Sequence, residues 1–292
     1  MSAPGRVVAV RAAGGSVTVT AEGGLAEDAV VELGSVTKAV TGLLLADAVV
    51  RGEVALDTEL ADCLPGARAG IALGRLASHT AGLPRVPLAL LRRVGFLDTT
   101  DPYAATTVPE LVDDLATVRI RRPGRPRYSN LGAALLGQAL AARAGTPYER
   151  LATERVLAPL GVTEVWAQGG PEPAQPHGRR GRPAAPWTLG AYAPAGCLRG
   201  SARGALALAA GCLEPPAELA DAVALALRRH AHRHGQGFGL GWMEARGMWW
   251  HNGATNGSRA FVALRPESGR AVAAVANSRK APDRAAVAQL NS

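Results

Sequence analysis

The chain opens with two short runs of β-branched residues, 7–10 and 16–20, separated by Gly14-Gly15, a pattern that predicts a hairpin. Residues 30–33 read as a further short strand. From Ser35 to Arg51 the apolar positions recur at helical spacing, and Gly52 supplies the stop signal. Helical stretches then fall near 108–118, 130–144 and 147–158, broken by loops rich in Pro and Gly. Residues 169–186 carry neither period and read as a surface loop or a partly disordered segment. Helical spacing returns at 200–213 and 216–232. Four runs of strand character follow, at 238–244, 248–251, 258–265 and 270–277, with a turn at 266–269, and residues 282–290 read as a final helix. No internal repeat is visible. Strands at both ends and helices between them predict an α/β (α+β) fold, in which one antiparallel sheet built from both termini is flanked by helices and carries an inserted all-helical region. The matching division is 1–60 and 186–292 for the two parts of the α/β region and 61–185 for the helical region, with a cleft between them.

At 292 residues, 48% hydrophobic and 19% charged, the chain is long enough for a full core and has an ordinary globular composition. No apolar run reaches the roughly 18 residues of a membrane span. Arg6 and Arg11 interrupt the N-terminal apolar stretch, so no secretion signal is read and a cytoplasmic location is expected. Cys63, Cys197 and Cys212 have no metal-like spacing and are too few for a disulfide framework. His230, His232 and His234 recur every second residue; at an exposed helix end, where they are expected, that spacing does not converge on a metal. No metal and no organic cofactor is therefore expected. The net charge of +8 has two readings, a compositional bias toward arginine or an anionic substrate or partner. Nucleic acid is disfavoured, since no recognition motif is present and aromatics make up 4%.

The arginine bias sharpens the chemistry. Of 32 basic residues only Lys38 and Lys280 are lysines. Lys38 stands three residues after Ser35, on the same helix face. An arginine stays protonated, whereas a buried lysine can give up its proton and act as a base. Ser35, at the start of the helix near free backbone N–H groups, becomes a candidate nucleophile with its own base. Alone, Ser-x-x-Lys is a weak signal that also fits a capping serine and a solvated lysine. Two later segments strengthen it: Tyr128-Ser129-Asn130 before a helical run, and His251-Asn252-Gly253-Ala254 at the end of a strand.

Ser-x-x-Lys, Tyr-x-Asn and a late x-x-Gly triplet, in that order, resemble the serine β-lactamase and penicillin-binding protein superfamily, in particular its class C β-lactamase-like branch of lactamases, D-Ala-D-Ala carboxypeptidases and esterases. The segments from Leu76 to Pro84 (LASHTAGLP), from Tyr128 (YSNLGAALLGQAL) and from His251 to Ser278 are similar to further family regions, so the resemblance covers most of 30–280. It implies that Ser35 forms an acyl-enzyme, Lys38 is the neutral base, and Tyr128 passes a proton to the leaving group. It implies that Asn130 orients Lys38 or bonds the substrate amide, that Gly253 lets the strand approach the acyl group, and that the N–H groups of Ser35 and Ala254 form an oxyanion hole. The local alternatives are Tyr128 as a core aromatic, Asn130 as a helix N-cap and His251 as a solvent-facing strand end.

His251 is the main departure. Lactamases of this family carry Lys-Thr-Gly there, and some peptidases and esterases carry His-x-Gly. A histidine still donates a hydrogen bond but is cationic only at lower pH. A second departure is the short stretch between Tyr128 and His251. A third is Arg119, Arg121, Arg122, Arg125 and Arg127, which read either as a solvated basic loop or as a binder of a carboxylate, phosphate or acidic carrier protein. The expected function is a serine hydrolase, an esterase or amidase acting on a small substrate, anionic or carrier-bound in the second reading of that loop. The alternatives are an acyltransferase, a β-lactamase or D-Ala-D-Ala carboxypeptidase, and a non-catalytic binding or sensor protein on this scaffold. Neither a nucleic-acid nor a membrane partner is expected.

Overall fold

The computed structural model describes residues 3–94 and 101–291. Its centre is an eight-stranded sheet, antiparallel throughout. In spatial order the strands are Val17–Gly23, Gly5–Arg11, Arg270–Ala276, Arg259–Arg265, Met248–Ala254, Met243–Ala245, Gln236–Phe238 and Ala231–Arg233. The N-terminal hairpin thus pairs with the last strand, with Val8 opposite Ala274, and both ends of the chain build one sheet. A small second sheet joins Val31–Glu32, Arg199–Gly200 and Val165–Trp166.

Side chains alternate between the two faces of a strand, so a sheet covered on both sides is apolar at every position. Arg270–Ala276 shows this: Ala271, Ala273 and Val275 face the main core, while Val272 and Ala274 face a smaller one. The Ala202–Leu213 helix packs on the first face, and the Asp283–Asn291 helix closes the second through Ala286 and Leu290. Alanine at alternate positions lets these helices come close.

The Thr37–Val50 helix is buried from Thr37 to Ala48 on every side. A helix apolar all round belongs inside a protein, and this one runs through the core with Ser35 just before its first turn. The Asn130–Ala144 helix packs against it. Ser129 caps that helix by accepting from the Gly132 amide at 2.9 Å, so Asn130 is its first helical residue rather than its cap. Gly145, at φ 61°, ends it in the left-handed conformation. Val108–Thr117 begins with a reciprocal capping box between Thr107 and Glu110.

Two expected elements differ. The strand expected over 238–244 is broken into Gln236–Phe238 and Met243–Ala245. Between them the chain dips onto the central helix, where a Cβ on Gly241 would stand 1.9 Å from the Lys38 carbonyl and one on Gly42 1.9 Å from that of Leu240. Gly241 also has φ +71°. Gly241→Ala is therefore expected to destabilise the protein by at least about 1–3 kcal/mol, read as a lower melting temperature. The helix expected over 216–232 is a 3-10 turn, Ala217–Leu219, followed by Ala220–Ala226. Its apolar pattern stops there, and Ala231–Arg233 forms an edge hairpin around His234 and Gly235, both at positive φ. His232 is thus on a strand, not on a helix end. Among the described residues no cluster of His, Cys, Asp and Glu is arranged to hold a metal ion. The expected loop at 169–186 is tied down at its middle, where the His177 amide donates to the Asn277 and Gly257 carbonyls. Among the described residues, no helix is long and apolar enough to cross a membrane.

Candidate active site

Ser35 sits in a single 3-10 turn, Gly34–Val36, that feeds the central helix. Lys38 is 1% exposed, and its Nζ lies 2.9 Å from Ser35 Oγ. The same nitrogen donates to the Ala195 carbonyl at 2.6 Å. Thr37 holds this arrangement: its hydroxyl donates to the Gly34 carbonyl at 2.7 Å and accepts from the Leu198 amide at 3.0 Å. The helix start and the 194–198 segment are thereby locked together around the lysine.

Among the described residues no carboxylate pairs with Lys38. Burial first, and then the positive charge of Arg85, holds its pKa well below the usual 10.5. Burial pushes the Tyr128 phenol up to about 12, against an opposing effect of the neighbouring Ser35. Lys38 Nζ lies 5.1 Å from the centre of the Tyr128 ring and the Arg85 guanidinium 5.5 Å. At neutral pH the site therefore holds a protonated tyrosine beside a lysine biased toward its neutral form.

His79 positions the tyrosine. It is buried, adopts φ 59°, and packs its ring 4.6 Å from that of Tyr128. Its carbonyl accepts from the Arg127 amide at 2.8 Å and its Nδ1 from the Ser129 amide at 3.3 Å, so it grips the chain on both sides of Tyr128. Asn130 Nδ2 donates to the Tyr103 hydroxyl at 3.1 Å, while its buried Oδ1 has no partner. Asn130 thus faces the cavity and makes no bond to Lys38.

The strand Met248–Ala254 forms the opposite wall. A Cβ on Gly253 would stand 1.8 Å from the Leu33 carbonyl and 3.1 Å from the Ser35 nitrogen, so glycine is required there. A Cβ on Gly34 would stand 2.8 Å from the Ala254 nitrogen. The backbone of 33–35 and that of 253–254 are therefore packed against each other beside Ser35. His251 does not face solvent: it is 0% exposed, and its ring lies 6.0 Å from that of Tyr128, on the side of the strand that carries Gly253. Its Nδ1 is 2.7 Å from the Asn252 carbonyl, which can only accept, so Nδ1 carries the proton. The buried Nε2 is left without a partner. Burial, and then Lys38, lowers the His251 pKa to about 3, and burial with Lys38 and His251 lowers that of His79 to about 3.

These groups open onto a cavity of about 360 Å³. Ser35, Tyr128, Asn130, Gly253 and Ala254 line it. Arg85, Tyr103 and Trp187 line it too. Sequence reasoning did not single out Arg85 or Tyr103. Tyr103 rests edge-on against Trp187 at 5.6 Å, and Asp101 accepts from the Thr188 and Leu189 amides at 2.7 Å each, tying the two loops into one rim. Arg119, Arg121, Arg122, Arg125 and Arg127 are exposed and are not part of the cavity lining.

Curated relatives match only part of the chain. The D-alanyl-D-alanine-carboxypeptidase/endopeptidase AmpH of Escherichia coli is 33% identical over 47% of this chain and 37% of its own length. Penicillin-binding protein 4 of Amycolatopsis lactamdurans is 31% identical over 46% and 35%. The match thus spans little more than a third of either relative. Among solved structures, a class C β-lactamase from Rhodobacter sphaeroides superposes with a TM-score of 0.85 at 23% identity, covering 99% of this chain and 94% of that one. A β-lactamase/D-alanine carboxypeptidase from Pseudomonas syringae gives 0.83 at 18%, covering 98% and 93%. The fold is theirs, and since the Beta-lactamase family model matches residues 1–291, the chain belongs to the Beta-lactamase family.

Proposed function

We propose that this chain is a serine hydrolase that cleaves a small ester or amide through a Ser35 acyl-enzyme. The observation that carries this reading is Ser35 Oγ set 2.9 Å from a buried lysine whose pKa is strongly lowered. Neutral Lys38 takes the Ser35 proton as Oγ attacks the carbonyl carbon. The amides of Ser35 and Ala254 receive the charge that develops on the carbonyl oxygen. Tyr128, protonated at working pH, gives its proton to the leaving group and regains one through Ser35 and Lys38. Water then enters under the same base and releases the acid. Asn130, which lines the cavity, bonds the substrate amide.

His251 favours an ester or simple amide over a β-lactam. It is buried and held neutral, so this strand offers no fixed positive charge to a substrate carboxylate. A charged hydrogen bond of that kind is worth about 1.5–3 kcal/mol, or roughly 10–100-fold in kcat/KM. The second reading, action on D-alanyl peptides or β-lactams, rests on the similarity to AmpH and to penicillin-binding protein 4. Steady-state kinetics separate the two. A short p-nitrophenyl ester is expected to exceed nitrocefin and a D-Ala-D-Ala peptide in kcat/KM by at least about tenfold. The reverse order would replace the first reading by the second.

A further inference from the structure

Fixed charge in the cavity is unevenly placed. Two arginines line it. Arg259 is committed, its Nη1 donating to the Thr255 and Ser258 carbonyls at 2.7 Å each. On the same side Asp283 accepts from Asn252 at 3.1 Å, which adds a negative charge there. The strand wall contributes no cation, since His251 is neutral and buried. Arg85 is different. It is exposed and lines the cavity, and among the described residues its guanidinium has no ion pair and no hydrogen bond; it lies over the face of Tyr128 at 5.5 Å. Its backbone is fixed, because the Arg85 carbonyl accepts from the Asn130 and Leu131 amides at 2.9 and 3.2 Å. The side chain is thus carried by the same segment that holds the tyrosine.

An unpaired guanidinium on a rigid mount, one ring away from the reacting serine, is a ready-made fork for a carboxylate or phosphate. We infer that Arg85 is a specificity-determining residue that binds an anionic group, a carboxylate or phosphate, on the leaving-group side of the substrate. The side follows from Tyr128: a leaving group within reach of its hydroxyl is also beside Arg85. The positive field also acts on the chemistry. Arg85 helps to lower the pKa of Lys38 and tends to lower that of Tyr128, so a bound anion that neutralises it shifts both groups upward. The exposed arginines at 119–127 lie outside the cavity lining and are not needed for this recognition.

The inference rests on the Ser35 hydrolase reading, and the test keeps the two apart. Wild type, Arg85→Gln and Arg85→Lys are assayed with 4-acetoxybenzoate and with its methyl ester, each kcat/KM divided by the alkaline hydrolysis rate of that ester. The wild-type preference for the anionic over the neutral ester is expected to fall by at least about tenfold in Arg85→Gln. Arg85→Lys is expected to retain part of it, and added salt to reduce it in the wild type. An anionic-to-neutral ratio that is equal in wild type and Arg85→Gln, with the methyl ester turned over by both, would overturn the assignment of Arg85 while leaving the hydrolase reading intact. A folded wild type that turns over neither ester and takes no fluorophosphonate label would overturn both.

Discussion

Replacing Lys38 with arginine or methionine is expected to lower kcat/KM for a neutral ester by about 10³-fold, the arginine rescuing nothing. The charge-conserving substitution is the informative one. If Lys38 served only as a cation for Ser35 or Tyr128, an arginine would keep much of the activity. In this site the requirement is a nitrogen that can be empty of its third proton, and burial without a neighbouring carboxylate is what empties it. The pH profile carries the same information. Activity rises with pH as Lys38 loses its proton, so the acid limb of kcat/KM falls well below 10.5. His79 and His251 titrate near 3 and cannot supply that limb, so it is expected to persist in His251→Asn.

The lysine also has a stability signature. In the unfolded chain it takes up a proton near 10.5, whereas in the fold it does so only at a lower pH. Between those two values the unfolded state binds a proton that the folded state refuses. Stability from this group is therefore present above 10.5 and declines as pH falls, until the folded pKa is reached. Lys38→Met removes the loss and keeps an apolar stem of similar length. The inactive variant is expected to melt at or above the wild-type temperature at neutral pH, by an amount that grows as the pH is lowered from about 10. A melting temperature that drops in step with activity would show that Lys38 contributes to packing rather than to the base.

Tyr128→Phe is expected to lose about 10²–10³-fold in kcat/KM on alkyl esters and much less on p-nitrophenyl esters. The difference follows from the proton. A phenol held near 12 is protonated throughout the working range and can donate to a departing alkoxide. A p-nitrophenolate leaves without help. Phenylalanine keeps the ring between His79, Lys38 and Arg85, so a loss that depends on the leaving group reports the hydroxyl rather than the packing. An equal loss on both esters would instead assign Tyr128 to holding the ground-state geometry of Ser35.

Much of this was legible from local pattern. The hairpin at both its strands, the helix beginning beside Ser35 and the paired strands on either side of Pro266–Ser268 all follow from β-branched runs, helical spacing and turn residues. Lys38 stood out in a chain that otherwise writes arginine and drew attention to Ser35, whereas Tyr128 was picked out by the order of the Ser-x-x-Lys, Tyr-x-Asn and x-x-Gly motifs and the family resemblance it carries. What escaped depends on contacts distant in sequence. The break at Gly239 to Trp242 exists because this segment meets the helix carrying Lys38, some 200 positions earlier. The burial of His251 arises from the sheet, where it pairs with Val262, and from the site residues Tyr128 and Lys38 that pack near its ring; nothing in His-Asn-Gly-Ala indicates it. Arg85 and Tyr103 belong to loops whose residues show no period, and only the fold brings them to the cavity. The five-arginine run drew attention by composition, yet the arginines that line the cavity, Arg85 and Arg259, lie outside it.

The central claim is that Ser35 becomes acylated. Intact-mass spectrometry after exposure to a fluorophosphonate, paired with turnover of a short p-nitrophenyl ester, tests it on wild type and Ser35→Ala. The account predicts one covalent adduct and measurable turnover in the wild type, both lost in the variant while its melting curve stays cooperative. No adduct on folded wild-type protein, or an adduct that survives Ser35→Ala, would contradict it.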